Sequence, residues 1–200
     1  MSEQLLEKYN MHNLTSFSQV MGTESYYNEE DIIISLDIES YKANQLNNFT
    51  VNYIGYKDDI DTWIRISSDS FSKYINYELI HNVAKNIDID FLLVFKDDVA
   101  IDSAMIFKDN NIVSIHFLKD TSYQNQEIIE HIIQEVVDFA NREQIKYITL
   151  FSSISNIKFY KSLGFNWHIN VITKVIKIMT IINVRYFKIC YNSYTIKYWR

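Results

Sequence analysis

Proton transfer near neutral pH needs a group that titrates there, and histidine, with an ordinary pKa of about 6.5, is the usual one. The chain has five, at positions 12, 81, 116, 131 and 168. His116 stands in a run of alternating polar and apolar residues, Ile112 to Leu118, and shares a face with Ser114. That pair is a candidate for proton handling, and the same face also suits solvent or a structural contact. His81, His131 and His168 fall on helices or strand edges with no partner at a telling spacing, and His12 lies in the N-terminal segment. These four read as structural. Cys190 is the single cysteine, so no internal disulfide forms. No zinc-ligand spacing and no aromatic-plus-basic RNA motif is present. Of 200 residues, three are glycine and none is proline. Gly22, Gly55 and Gly164 are too far apart to build a glycine-rich phosphate loop.

The length suits one domain, or one domain with an appended half. A hydrophobic fraction of 48% and a charged fraction of 22% are those of a globular chain able to bury a core. The abundance of Ile, Asn, Lys and Tyr fits AT-rich codons and carries no functional message. The N-terminus, Met1 to Asn10, lacks an apolar stretch of signal-peptide length. Ile169 to Ile182 is interrupted by Lys174 and Lys177, too short and too charged to span a membrane. The expectation is a cytoplasmic protein with no membrane partner. The net charge of −6 hides an asymmetry: all 25 acidic residues precede Gln144, and nine of the 19 Lys and Arg follow Glu143. The basic end suits an anionic ligand or partner, or a solvated surface. The acidic total argues against non-specific nucleic-acid binding.

The elements that must position these residues follow from periodicity. Ser2 to Gly22 reads as two short helices. Asp31 to Asp37 and Phe49 to Ile54 read as strands, rich in β-branched and aromatic residues. A helix opens at Lys57-Asp58-Asp59, with Asp58 or Asp59 as its cap, and runs towards Phe71. A further helix covers Tyr77 to Asn86. Phe91–Phe95, Val99–Phe107 and Ile112–Leu118 form an antiparallel meander, joined by the turns Lys96-Asp97-Asp98 and Asp109-Asn110-Asn111. After a polar loop, Lys119 to Gln126, the helix Glu127 to Arg142 carries its apolar stripe at Ile128, Ile129, Ile132, Ile133, Val136, Val137 and Ala140. Lys146 to Phe151 is the next strand, and a crossover of this length implies parallel pairing. Ser155 to Leu163 is a short helix stopped at Gly164, and Phe165 to Val171 is a strand. Ile172 to Arg200 reads as two more strands or a tail.

The order meander, loop, helix, strand, short helix, strand resembles the GNAT-type N-acetyltransferases. The segment Phe159-Tyr160-Lys161-Ser162-Leu163-Gly164-Phe165 resembles that family's hydrophobic–Tyr–x–x–Leu–Gly–Phe signature. Leu150-Phe151-Ser152-Ser153 looks like the strand that precedes it. The resemblance covers roughly Trp63 to Val171. It implies an α/β (α+β) fold: a mixed, mostly antiparallel twisted sheet with splayed central parallel strands and flanking helices. Three parts follow: a GNAT-like domain over 57–171, an N-terminal segment 1–56 that fits an eroded half-domain, and C-terminal strands or a basic tail over 172–200.

The resemblance also implies acetyl-CoA as cosubstrate and an amine acceptor. The fourth strand, through Phe117, Leu118 and Lys119, would meet the pantetheine arm. The pyrophosphate would meet the segment Gln124, Asn125, Gln126, Glu127, Ile128 and Ile129 at the following helix N-terminus, where N–H groups and the dipole favour anions. Gln124 matches the family pattern, whereas Glu127 and Ile129 stand where it has small residues. Two unit charges about 4 Å apart interact by roughly 4 kcal/mol at an effective dielectric of 20, so Glu127 opposes the diphosphate. Ser153 and Asn156 lie where the family contacts pantetheine. Tyr160 matches the tyrosine that protonates the departing sulfur, and His116 is the candidate general base. Acids of the first half, among them Asp37, Glu39, Asp58, Asp59, Asp61, Asp69 and Glu78, would draw a cationic acceptor. A homodimer is compatible with the sequence. The competing readings are a non-catalytic GNAT-like binding module and, on the basic tail alone, an acetyltransferase acting on charged tRNA.

Overall fold

The structure, a computed structural model, describes residues 32–43, 48–55, 59–71, 75–109, 111–118 and 126–167. The expected helices over Ser2–Gly22, the loop 119–125 and the segment from 168 onward lie outside the described residues.

The strands are β1 (Ile32–Asp37), β2 (Thr50–Ile54), β3 (Ile89–Lys96), β4 (Val99–Asp109), β5 (Ile112–His116), β6 (Tyr147–Ser152) and β7 (Asn166–Trp167). They form one sheet in the order β2-β3-β4-β5-β6-β1-β7. Strands β5 and β6 run parallel, and the other described neighbours are antiparallel. The expected meander and the expected parallel pair are both present. The helices are α1 (Ile60–Phe71), α2 (Tyr77–Val83), α3 (Gln126–Arg142) and α4 (Ile157–Ser162). The expected helix from Ser155 is in fact a 3-10 turn, Ile154–Asn156, followed by α4.

Each side of the sheet has its own core. On one side α3 presents Ile129, Ile132, Ile133, Val136, Val137 and Ala140 to the sheet, the stripe that its periodicity predicts. Leu92, Ala104, Ile106, Val113, Ile115 and Leu150 meet it. On the other side α1 buries Ile60, Trp63, Ile64 and Ser67, the i, i+3, i+4, i+7 set, against Phe91, Leu93, Met105 and Phe107. Asp59 caps α1, its Oδ1 accepting from the Thr62 N–H at 3.3 Å.

The hairpin between β3 and β4 turns on Asp97 and Asp98, both left-handed (φ 49° and 63°), the backbone of a type I′ turn. Val94 pairs with Asp102 but Phe95 with Ala100, so Ile101 is an extra residue in β4. Such a bulge bends a strand and increases its local twist.

Strand β1 holds an unforeseen place. It lies between β6 and β7, antiparallel to both, with Ile32 opposite Ser152 and Ile34 opposite Trp167. Its residues 32–36 are all buried. A near-continuous apolar run marks a strand covered on both faces.

Candidate active site

The β5–β6 ladder runs from Ile112↔Tyr147 to Ile115↔Leu150 and ends there. Beyond it β5 stays with β4, whose last pair is Met105↔His116, while β6 stays with β1 through Ile32↔Ser152. The two parallel strands therefore part at their carboxyl ends. In open α/β sheets ligands bind in the crevice outside such ends. The expected strand Ile112–Leu118 stops at His116, because Phe117 has a left-handed backbone (φ 58°). A bulky residue with positive φ is an outlier, and such strain costs about 1–3 kcal/mol and clusters at ligand sites.

That backbone turn decides where the aromatic ring goes. Alternation would send Phe117 to the α3 side, opposite His116. Instead its ring packs on the α1 side, edge-on to Trp63 (centroids 5.2 Å) and to Phe71 (5.8 Å). The Trp63 indole N–H donates to the carbonyl of Ala104 at 2.8 Å, one residue beyond the last β4–β5 pair. An aromatic cluster thus props β5 at the point where it leaves β6.

His116 is opposite Met105, and Ser114 is opposite Phe107, on that same α1 side. Ser114 Oγ and His116 Nε2 are 2.6 Å apart. Across the sheet Ser114 aligns with Thr149, Thr149 with Ser35, and Ser35 with Asn166. The first three of these polar side chains are buried. His116 itself is 2% exposed, and burial pushes its pKa down to about 3. An imidazole so weakly basic stays neutral near pH 7. Lowering the pH must then force a proton onto a site that excludes it. The unfolded chain takes that proton below about 6.5 and the folded chain only near 3, so stability is full above 6.5 and falls as the pH drops. One such proton corresponds to about 1.4 kcal/mol per pH unit inside that window. Urea melts between pH 4 and pH 7 are expected to show a shallower slope for His116→Gln than for wild type. Equal slopes would remove His116 as the cause.

The segment after β6 carries the other candidates. Ser153 Oγ lies 2.7 Å from Ser155 Oγ and makes no capping bond. Asn156 stands at the N-cap of α4, and its side chain does not cap the helix. Tyr160 is 3% exposed, its ring packed against Phe159 and Phe165. The helix ends in a Schellman motif: Gly164 N–H donates to Lys161 O (3.1 Å) and Phe165 N–H to Tyr160 O (3.0 Å). Gly164 has φ of +100°. Tyr160 and Phe165, with centroids 5.6 Å apart, make the apolar contact that accompanies this motif. The signature heptad is thus a complete helix stop with a tyrosine built into it.

At the other wall, α3 starts at Gln126. Ile129 is buried in the α3 core and Ile128 is half-buried beside it. The Ile129 side chain therefore faces the sheet, which leaves its backbone as the part available to a ligand. Glu127 is exposed, and its carboxylate accepts from the Asn48 side-chain amide. His131 Nδ1 donates to the Glu127 carbonyl at 2.7 Å, and its buried Nε2 has no hydrogen-bond partner. Phe117 and Leu118 lie at the end of β5; Lys119, Gln124 and Asn125 are outside the described residues.

A model of the acetyltransferase (GNAT) domain matches residues 38–174. The chain belongs to the GNAT acetyltransferase family. No curated protein matches the sequence. A functionally unknown conserved protein from Staphylococcus epidermidis aligns over 84% of this chain at 15% identity, with a TM-score of 0.51. The chain spans 64% of that protein's length. An aminoglycoside acetyltransferase from an uncultured soil metagenomic sample aligns over 58% of this chain and 88% of its own, at 13% identity and a TM-score of 0.45. At such identities the first likeness speaks for the fold alone.

For a GNAT domain the test is how well a pantetheine thioester and its nucleotide fit. The parting of β5 and β6 beyond Ile115 and Leu150 suits a neutral, amide-bearing thioester arm. The first turn of α3 does not fit a diphosphate, because Glu127 places a full negative charge there and Asn48 holds it. Three of the acids expected to attract a cationic acceptor have structural partners. Asp37 accepts from the Glu39 N–H, Asp59 caps α1, and Asp61 meets His81 Nε2 at 2.8 Å. Hydrogen bonds from Tyr77 and then His81 hold the Asp61 carboxyl below its ordinary range. Sequence reading missed this His81–Asp61 pair because its partners sit on different helices. It missed His131 because only the fold brings Phe49 edge-on to it, 5.1 Å between centroids. Asp58 lies outside the described residues.

Proposed function

We propose that the chain transfers an acetyl or related acyl group from a pantetheine thioester, of which acetyl-CoA is the family's usual form, to an amine acceptor. The observation that carries this reading is the parting of β5 and β6 directly before α3 and the Ser153–Asn156 turn. The acceptor nitrogen attacks the thioester carbonyl, a C–N bond forms, and the C–S bond breaks. The amine's surplus proton leaves to water. The departing thiolate takes a proton from the Tyr160 hydroxyl, which solvent restores. Ser153 and Asn156 flank the arm, and His116 positions the strand end as a neutral group. Residues 57–171 supply the catalytic part in this proposal, and 1–56 supply the flanking strands. A cytoplasmic setting and a small-molecule, amino-acid or peptide amine belong to the same proposal.

The test is thiol release from an acetyl thioester in the presence of a panel of amines. Tyr160→Phe is expected to lower kcat on the order of 10²-fold with KM little changed, the usual size of a general-acid contribution. Unchanged turnover would leave Tyr160 with its helix-stop packing alone. Glu127 favours one second reading, a GNAT-like module that binds a partner without catalysis. Absence of thiol release with every amine, in a folded protein, selects that reading.

A further inference from the structure

We infer that Glu127 selects the donor class: the geometry points to a pantetheine thioester carrying at most one phosphate, not the diphosphate-bearing nucleotide form. The inference rests on the acyl-transfer reading. A helix N-terminus offers an anion roughly half a positive charge. Glu127, in the first turn of the 17-residue α3, brings a full negative one and reverses the sign of the local field. The carboxylate is held by the side-chain amide of Asn48, in the bend just before β2. Glu130 stands one turn further on. Among the described residues no Lys or Arg pairs with Glu127, whereas Lys108 pairs with Asp90 and Arg142 with Glu135. No glycine lies between Gly55 and Gly164, so no Cβ-free position precedes or opens α3. The arm's path is different in character. It passes the end of β5, where Phe117 is packed against Trp63 and Phe71 and His116 is neutral. Amides, methyl groups and a thioester suit that path, and among the described residues Glu127 opposes added phosphates at its far end.

Calorimetric titration of the full chain with pantetheine, 4′-phosphopantetheine and coenzyme A tests this. Phosphopantetheine is expected to bind at least as tightly as coenzyme A. Glu127→Gln, which keeps an acceptor for Asn48, is expected to tighten coenzyme A about tenfold and leave pantetheine within about twofold. On the wild-type protein, coenzyme A binding is expected to strengthen with added salt, since screening relieves a repulsion. Coenzyme A binding more than about tenfold tighter than phosphopantetheine, weakening with salt, would overturn the inference and keep acyl transfer. Binding of none of the three to the folded protein would overturn both.

Discussion

Gly164→Ala is expected to destabilise the protein by about 2–4 kcal/mol, the range of a strained backbone combined with a steric clash. A Cβ at this position would stand 2.3 Å from the Ser40 carbonyl oxygen, 3.1 Å from its carbon and 3.3 Å from Leu36 Cδ1. The first two are backbone atoms and do not rotate aside. The Ser40 segment is itself tied down, since the Lys42 N–H donates to Leu163 O at 3.2 Å and Ile38 N–H to Lys146 O at 3.1 Å. At φ +100° an L-residue is also strained irrespective of space. Thermal unfolding should fall by roughly 5–15 °C for a chain of this size. Gly164→Asn separates the causes: asparagine tolerates left-handed backbone better than alanine but brings the same Cβ. Equal losses assign the effect to the clash with Ser40, and a milder Asn variant assigns it to φ. A melting point unmoved by either variant would show that this packing is not rigid.

Trp63→Ala is the second large effect, with an expected cost of about 3–5 kcal/mol, typical of removing a buried large aromatic. Trp63 is fully buried, with its ring 4.8 Å from Phe91 and 5.2 Å from Phe117 between centroids. Trp63→Phe keeps most of the apolar contact and deletes the donor to Ala104 O. A buried acceptor left without that bond costs about 1–3 kcal/mol. The two variants are expected to differ in function as well as in stability. Without the indole behind it, the Phe117 ring loses one of the contacts that hold its left-handed backbone. Thioester KM should therefore rise in Trp63→Ala beyond what the Phe variant shows, measured well below the melting temperature of each. If both keep wild-type KM, the aromatic cluster supports the fold and not the site.

Much of this was legible in the sequence where the signal is local. The meander shows in the alternation of Val99 to Leu118 and in the Asp97-Asp98 turn. The α3 stripe shows in a repeat that tertiary context did not override. Gly164 announces its helix stop, because left-handed backbone after a short amphipathic run is glycine's usual post. The rest depends on distant partners. Nothing near Phe117 signals a positive φ; no Gly or Asn stands there, and the conformation follows from the ring's place beside Trp63 and Phe71. The alternation around His116 marks a face but not its cover, so burial and a neutral imidazole could not be read from it. Ile129 looked like a departure from a phosphate loop and is a core residue, because the helix period turns its side chain to the sheet. The pairings of Asn48 with Glu127 and His81 with Asp61 join residues 79 and 20 positions apart.

The position of β1 also sets an order of assembly. Ile32 to Leu36 pairs with residues 148 to 152, so a strand synthesised early waits for a partner more than a hundred residues downstream. At about 5–20 residues per second, that interval is several seconds or more on the ribosome. During it an Ile-rich β segment has neither of its sheet neighbours, the kind of exposure that invites chaperones or aggregation. Such non-local pairing also raises contact order and slows folding. Strand β6, one wall of the crevice, closes its outer edge only with this late pairing. The crevice between β5 and β6 is thus among the last parts of the molecule to form, and its formation depends on one of the first to emerge.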